Sequence, residues 1–303
     1  MQLDPGMLAF TDALNAQTPP EAVTWSLDRQ RAAWNAVCAK FRAPRPEGLE
    51  VSDLETSGVK FRLYVPKGPP PTTGVLYFHG GGWVLGGPET HDDMCAEMAA
   101  GTHCVVALVD YRLAPEHTHP AQLEDSFKVW RWMRENISDN LIAAGDSAGG
   151  QMSAGLALHL KDLNLPQLKG LVLIYPVLGA NVETPSYIRN ANAPCLTRAD
   201  MIYYLQCFLG PEGSSNWRDQ TAVPNLAQDV SGLPPAFITV AGHDPLHDDG
   251  TIFAAKLREA GIACTVLEEP ALAHSYMRAR NVSAVAKKGF DAIVEALRSL
   301  SHV

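Results

Sequence analysis

Two short stretches of the chain hold residue types and spacings suited to nucleophilic acyl transfer. The first, Gly145-Asp146-Ser147-Ala148-Gly149-Gly150, fits G-x-S-x-G, with an apolar strand pattern running in and an amphipathic helix pattern running out. Such a turn holds its serine in strained backbone geometry, and Gly145 and Gly149 let strand and helix close upon each other. Ser147 Oγ would then project beside a helix N-terminus, where the Ala148 N–H can face a developing oxyanion. Alone, the pattern also fits a tight turn lined with small residues. The second stretch, His79-Gly80-Gly81-Gly82-Trp83, follows an apolar run at 75–78. Glycines let backbone N–H groups approach a tetrahedral oxygen, so Gly81 and Gly82 are expected to join Ala148 as oxyanion donors. A phosphate-binding loop would carry the lysine of G-x-x-x-x-G-K-[ST] or the full G-x-G-x-x-G spacing, and this loop has neither. Trp83 is a candidate wall of the substrate pocket, although large aromatics are commonly core.

A serine nucleophile needs a base and an orienting acid. Asp244 follows the apolar run 236–241, at the carboxyl end of a strand pattern, where sheet enzymes build their sites. Asp248 and Asp249 compete with it, but fit the first turn of the next helix, where acids favour the dipole. The order serine, acid, histidine leaves His247, His274 and His302 as bases. His247 is too close to its neighbours to reach back, and His302 lies in the terminal tail. His274, just after another strand pattern, is the expected base.

The elements that must position these groups alternate. Short apolar runs at 75–78, 104–110, 140–144, 168–175, 236–241 and 263–267 read as strands covered on both faces. Helical patterns fall between or after them, near 90–100, 120–136, 148–163, 247–260 and 276–299. In the third of these, Met152, Leu156, Leu160 and Leu163 form one apolar face. This predicts an α/β fold, a mostly parallel sheet flanked by helices. Residues 49–56 and 59–65 read as a hairpin around Ser57-Gly58. Residues 1–45 read as helical up to the break Pro44-Arg45-Pro46, and 180–225 carry helix-like pieces without a strand. Together these two segments are expected to form a helical cap, 180–225 being an insertion in a catalytic domain spanning 46–303.

Composition excludes several roles. A formal charge of −9 argues against nucleic acid, whose phosphates need a cationic footprint. The six cysteines, at 38, 95, 104, 195, 207 and 264, form no C-x-x-C pair and read as buried thiols in a reducing compartment. His117-x-His119 lacks a third ligand, so no metal is expected there. The apolar stretch near 170–180 is too short to span a bilayer and contains Pro176. No secretory signal pattern opens the chain, so a soluble, cytoplasmic protein without membrane or nucleic-acid partners is expected.

His79-Gly80-Gly81-Gly82-Trp83, Tyr111-Arg112-Leu113-Ala114-Pro115-Glu116-His117, Gly145-Asp146-Ser147-Ala148-Gly149-Gly150 and Asp244-Pro245-Leu246-His247-Asp248 occur in that order. In these motifs the chain resembles the hormone-sensitive lipase family, bacterial family IV, from about residue 50 onward. The resemblance implies an α/β-hydrolase with an eight-stranded sheet and a cap built partly from the N-terminus. It implies hydrolysis of short-chain carboxylic esters without a cofactor, and homodimers paired through the edge strand near 263–267. It also implies that His79 anchors the glycine loop and that Tyr111, Arg112 and Glu116 form a buried polar cluster. Relatives usually carry Gly-Phe after the catalytic histidine, where this chain has Ser275-Tyr276. The expected function is a serine carboxylester hydrolase, with Ser147 as nucleophile, His274 as base and Asp244 as orienting acid. An amidase or lactonase could use the same groups, and a non-catalytic small-ligand receptor is the alternative outside enzymes.

Overall fold

The computed structural model describes residues 2–302. Helices α1 (Pro5–Gln17) and α2 (Leu27–Phe41) precede a hairpin of β1 (Leu49–Thr56) and β2 (Val59–Pro66). Strands and helices then alternate: β3 (Gly74–Phe78), α3 (Pro88–Thr102), β4 (Val105–Asp110), α4 (Ala121–Asn136), β5 (Leu141–Asp146), α5 (Ala148–Asp162) and β6 (Gly170–Ile174). Helices α6 (Pro185–Arg189) and α7 (Arg198–Leu209) interrupt this rhythm before β7 (Ala236–His243), α8 (His247–Glu259), β8 (Cys264–Ala273) and α9 (Ala284–Ser301).

The strands form one eight-stranded sheet in the order β1-β2-β4-β3-β5-β6-β7-β8. The strands β3 to β8 pair in parallel, while β2 is antiparallel to both β1 and β4. Every residue of β3, β5 and β6 is buried, as helices on both faces require of parallel strands. The strand order reverses at β3, with β4 on one side and β5 on the other. Loops leaving β3 and β5 therefore diverge at their carboxyl ends, opening a crevice there.

Two elements depart from expectation. The helix expected at 276–299 is a short 3-10 turn, Tyr276–Asn281, followed by α9. The break comes at Ser283, whose extended backbone ends the turn and whose hydroxyl accepts the Ala286 N–H at 3.0 Å. Strand β8 runs to Ala273, beyond the expected 267, because its pairing with β7 resumes at Ala273–His243 after an irregularity. Pro270 falls within that irregularity on the sheet edge, where a missing N–H is tolerated. Along α5, Met152, Leu156 and Leu160 are buried, while Leu163 lies past the helix end and is 48% exposed. Among the described residues, no helix is long and apolar enough to cross a membrane.

Candidate active site

Ser147 sits between the last residue of β5 and the first of α5, with φ 56° and ψ −117°. This strained conformation is held from several sides. Its N–H donates to the Ile174 carbonyl at 2.9 Å, and its carbonyl accepts the Gly150 and Val177 N–H groups at 3.0 and 3.2 Å. Close approach accounts for the flanking glycines. A Cβ on Gly149 would lie 1.8 Å from the Phe78 carbonyl oxygen, and one on Gly145 would lie 2.4 Å from Gly149.

The other expected groups converge on this serine. Asp244 follows β7 and His274 follows β8, so adjacent parallel strands deliver acid and base to the same edge. His274 Nδ1 lies 2.7 Å from Asp244 Oδ2, and Nε2 lies 2.9 Å from Ser147 Oγ. An ionised carboxylate only accepts, so the proton belongs on Nδ1 and the Nε2 lone pair faces the serine hydroxyl. All three side chains are buried. The second Asp244 oxygen accepts the Leu246 N–H at 2.8 Å. Asn190, which no sequence motif marks, donates to the Asp244 carbonyl at 2.9 Å. The competing groups are engaged elsewhere. Asp248 accepts the Ser186 N–H, Asp249 accepts the Leu178 and Gly179 N–H groups, and His247 lies against Asp248. His302 is at the end of α9.

The glycine loop is pinned peptide by peptide. His79 donates from Nδ1 to the Gly80 carbonyl at 2.9 Å, and its own carbonyl accepts the Tyr111 hydroxyl at 2.7 Å. The two rings stack with centroids 4.2 Å apart. Burial pushes the His79 imidazole down to about 3, so it is neutral. The Gly80 N–H donates to Asp146 Oδ1 at 3.0 Å, where the Tyr77 hydroxyl also donates at 2.9 Å. Burial opposes ionisation of Asp146, but His91, Arg278 and the Tyr77 hydroxyl outweigh it and hold the carboxyl below the usual range. Gly81 and Gly82 have φ values of 124° and 61°, a region open to glycine. Ala148 is the buried first residue of α5.

Gly81, Gly82, Ser147 and His274 border one cavity of about 640 Å³. Its far walls come from Leu14 and Thr18 around α1, Trp34 of α2, and Met201 and Tyr204 of α7, with no lysine or arginine among the described lining residues. Trp83 also lines it, yet the side chain is 1% exposed, stacks on Phe208 at 4.0 Å and donates its indole N–H to Gln151. The polar cluster implied for Tyr111, Arg112 and Glu116 is three separate anchors. Tyr111 holds His79, Arg112 pairs with Asp125 and Glu124, and Glu116 accepts Arg31 at 2.7 Å. Arg31 also donates to the Val84 carbonyl at 2.9 Å, clipping α2 to the end of the glycine loop.

His119 lies against Asp219 at 3.0 Å, and among the described residues no group of three His, Cys, Asp or Glu is arranged to hold a metal. All six cysteines are free, but Cys195, Cys207 and Cys264 are only partly buried, unlike the expectation for them. Cys195 lies in the bend before α7 and borders the cavity.

Residues 75–278 match a family model, Abhydrolase_3, described as an alpha/beta hydrolase fold. Carboxylesterase NlhH of Mycobacterium tuberculosis is 39% identical over 235 residues, 75% of this chain and 74% of that protein. The ethyl acetate hydrolase of Pseudomonas putida is 29% identical over 319 residues, covering 98% of this chain and 99% of that one. Among solved structures, a mutant of the alpha/beta hydrolase enzyme LAE6, from the metagenome of Lake Arreo in Spain, superposes with a TM-score of 0.90. It is 32% identical and covers 99% of this chain and 98% of its own. Family match, identity and superposition agree: the chain belongs to the hormone-sensitive lipase family of α/β hydrolases and is a carboxylesterase.

Proposed function

We propose that this carboxylesterase hydrolyses short-chain acyl esters through a Ser147–His274–Asp244 triad and an acyl-enzyme intermediate. His274 takes the Ser147 proton as Oγ attacks the ester carbonyl, whose developing charge meets the N–H groups of Gly81, Gly82 and Ala148. The same imidazole returns the proton to the leaving alcohol, then activates the water that releases the acid. Asp244 keeps the imidazole in the Nδ1–H form and offsets its transient charge. The observation that carries this reading is the unbroken line Asp244 Oδ2, His274 and Ser147 Oγ, at 2.7 and 2.9 Å. It also weighs against a pure receptor, which has no use for an intact proton relay. Helices α1 and α2 with 180–225 act as the cap over the cavity. β8, paired on one side only, is the dimer edge, and six free cysteines accord with a reducing, cytoplasmic setting.

A fluorophosphonate probe tests the reading, because it reacts with a serine only where a base and oxyanion donors converge. One adduct, mapped to Ser147 and lost in Ser147→Ala, is the expected result. A stoichiometric adduct elsewhere, or none, overturns it.

A further inference from the structure

Arg278 is a buried cation in an unusual setting. It is 4% exposed, yet none of the ion pairs among the described residues includes it. Arg280, two residues on, has conventional carboxylate partners in Asp93 and Glu97. Arg278 instead donates from Nη1 to the Thr90 carbonyl at 2.7 Å and stands over the Trp34 ring, with Cζ 4.8 Å from the centroid. Its Nη2 lies 2.9 Å from His91 Nε2 and 3.4 Å from His91 Nδ1. A donor in line with either nitrogen's lone pair would be far from the other, so these near-equal distances set Nη2 over the imidazole face.

That placement leaves the ring edge of His91 free for other partners. With Arg278 on its face, the ring edge is free to donate from Nε2 to Asp146, 3.2 and 3.4 Å from its two oxygens. Nδ1 lies 2.8 Å from the Thr90 hydroxyl oxygen, whose own proton goes to the Gly87 carbonyl at 2.8 Å. Burial, helped by the Arg278 charge, pushes the imidazole below its ordinary value, while the Asp146 charge works against this. A cation on its face disfavours the charged form of the ring.

The charge balance around Asp146 follows. It is 3% exposed, and the titratable groups facing it come from six elements. Tyr77 of β3, Cys95 of α3, Cys38 of α2, and Tyr111 and Tyr175 beyond β4 and β6 are all pushed up by burial and stay neutral. His79 is pushed down and is neutral too, and His91 is also pushed down. Arg278 is the one permanent cation among these groups. An isolated buried carboxylate is costly, and compensation across a polarisable ring reduces that cost.

We infer that Arg278, acting through His91, is a positioning residue for ester hydrolysis: it offsets the Asp146 charge and thereby fixes the Gly80 peptide that sets the oxyanion loop against Ser147. This rests on the reading of Gly81 and Gly82 as oxyanion donors. Removing the cation favours protonation of Asp146, and a protonated carboxyl accepts the Gly80 N–H less strongly. The loss therefore depends on pH, being deepest in acid and relieved as pH rises. A merely structural role lowers activity by one factor at every pH.

The experiment compares kcat and KM of wild type, Arg278→Met and Arg278→Lys on p-nitrophenyl butyrate from pH 6 to 9. For Arg278→Met, kcat should fall at pH 6 by about tenfold to a hundredfold, approaching the loss of one oxyanion donor, with KM little changed. Its ratio to wild type should climb with pH, and Arg278→Lys should regain most of the rate. Asp146→Asn covers the case in which Arg278→Met does not fold, and should lose rate by a factor that stays constant with pH. Wild-type kcat in Arg278→Met, or a loss constant with pH that lysine does not restore, overturns the inference. So does a wild-type rate in Asp146→Asn. If fluorophosphonate labels Ser147 in the same preparations, such a result counts against Arg278 alone. If Ser147 is not labelled, the triad reading itself has failed.

Discussion

The Tyr204 ring lies against the α-carbon of Gly82, so closely that a Cβ there would meet Tyr204 Cγ and Cδ1 at 2.5 Å. Helix α7 thus packs directly on the glycine loop that borders the cavity with Ser147. Gly82 is constrained twice, by this ring and by φ of 61°. Gly82→Ala should displace the loop and lower kcat by about 10²–10³, the usual loss when one oxyanion donor is misplaced. Steady-state kinetics on p-nitrophenyl butyrate checks this, and a rate within a factor of two of wild type would remove Gly82 from the oxyanion hole.

Gly149 tests the fold instead. Its α-hydrogen faces the Phe78 carbonyl oxygen, where a methyl group would stand at 1.8 Å. Backbone on both sides leaves nothing flexible to move, so Gly149→Ala should destabilise by roughly 2–4 kcal/mol. Urea unfolding provides the measurement. A change near zero would mean that β3 and α5 can separate freely.

Asp249 makes stability depend on pH. Its carboxyl accepts the Leu178 and Gly179 N–H groups at 2.9 and 2.8 Å, and burial pushes it up to about 7. An unfolded aspartate titrates near about 3.9. The folded state therefore holds the proton more tightly, and this contribution is full below the unfolded value and lost as pH rises through the folded one. Relative to Asp249→Asn, which stays neutral, wild-type Tm should decline from pH 4 to 7 and then level. A difference constant across that range would show that Asp249 is ionised throughout.

Asp244→Asn separates orientation from presence. The carboxamide can fill the same space but no longer favours the Nδ1–H imidazole, and turnover should drop by about 10⁴ with the fold intact. Activity within tenfold of wild type would point to a different orienting acid.

What the sequence reveals and conceals follows from range. The turn at Ser147 is readable because its constraints lie within a few residues: Gly145, Gly149, an apolar run before and an amphipathic face after. His274 and Asp244 are readable because chain order and strand ends narrow the choices. The end of β8 is hidden because Glu268, Glu269 and Pro270 look like a strand terminus, and only pairing with β7 carries the strand to Ala273. Arg278, His91 and Asn190 carry no local signal at all. Arg278 meets His91 across 187 residues, and neither spacing nor periodicity encodes such a contact. Arg31 is equally silent, since its bond to Glu116 depends on how α2 lies over the glycine loop.

The most direct test of the central claim is initial hydrolysis of p-nitrophenyl butyrate by wild type and Ser147→Ala, side by side. A working wild type and a variant slower by several orders of magnitude are expected of a serine nucleophile. Equal rates for the two proteins would show that Ser147 is not the nucleophile and would contradict the account.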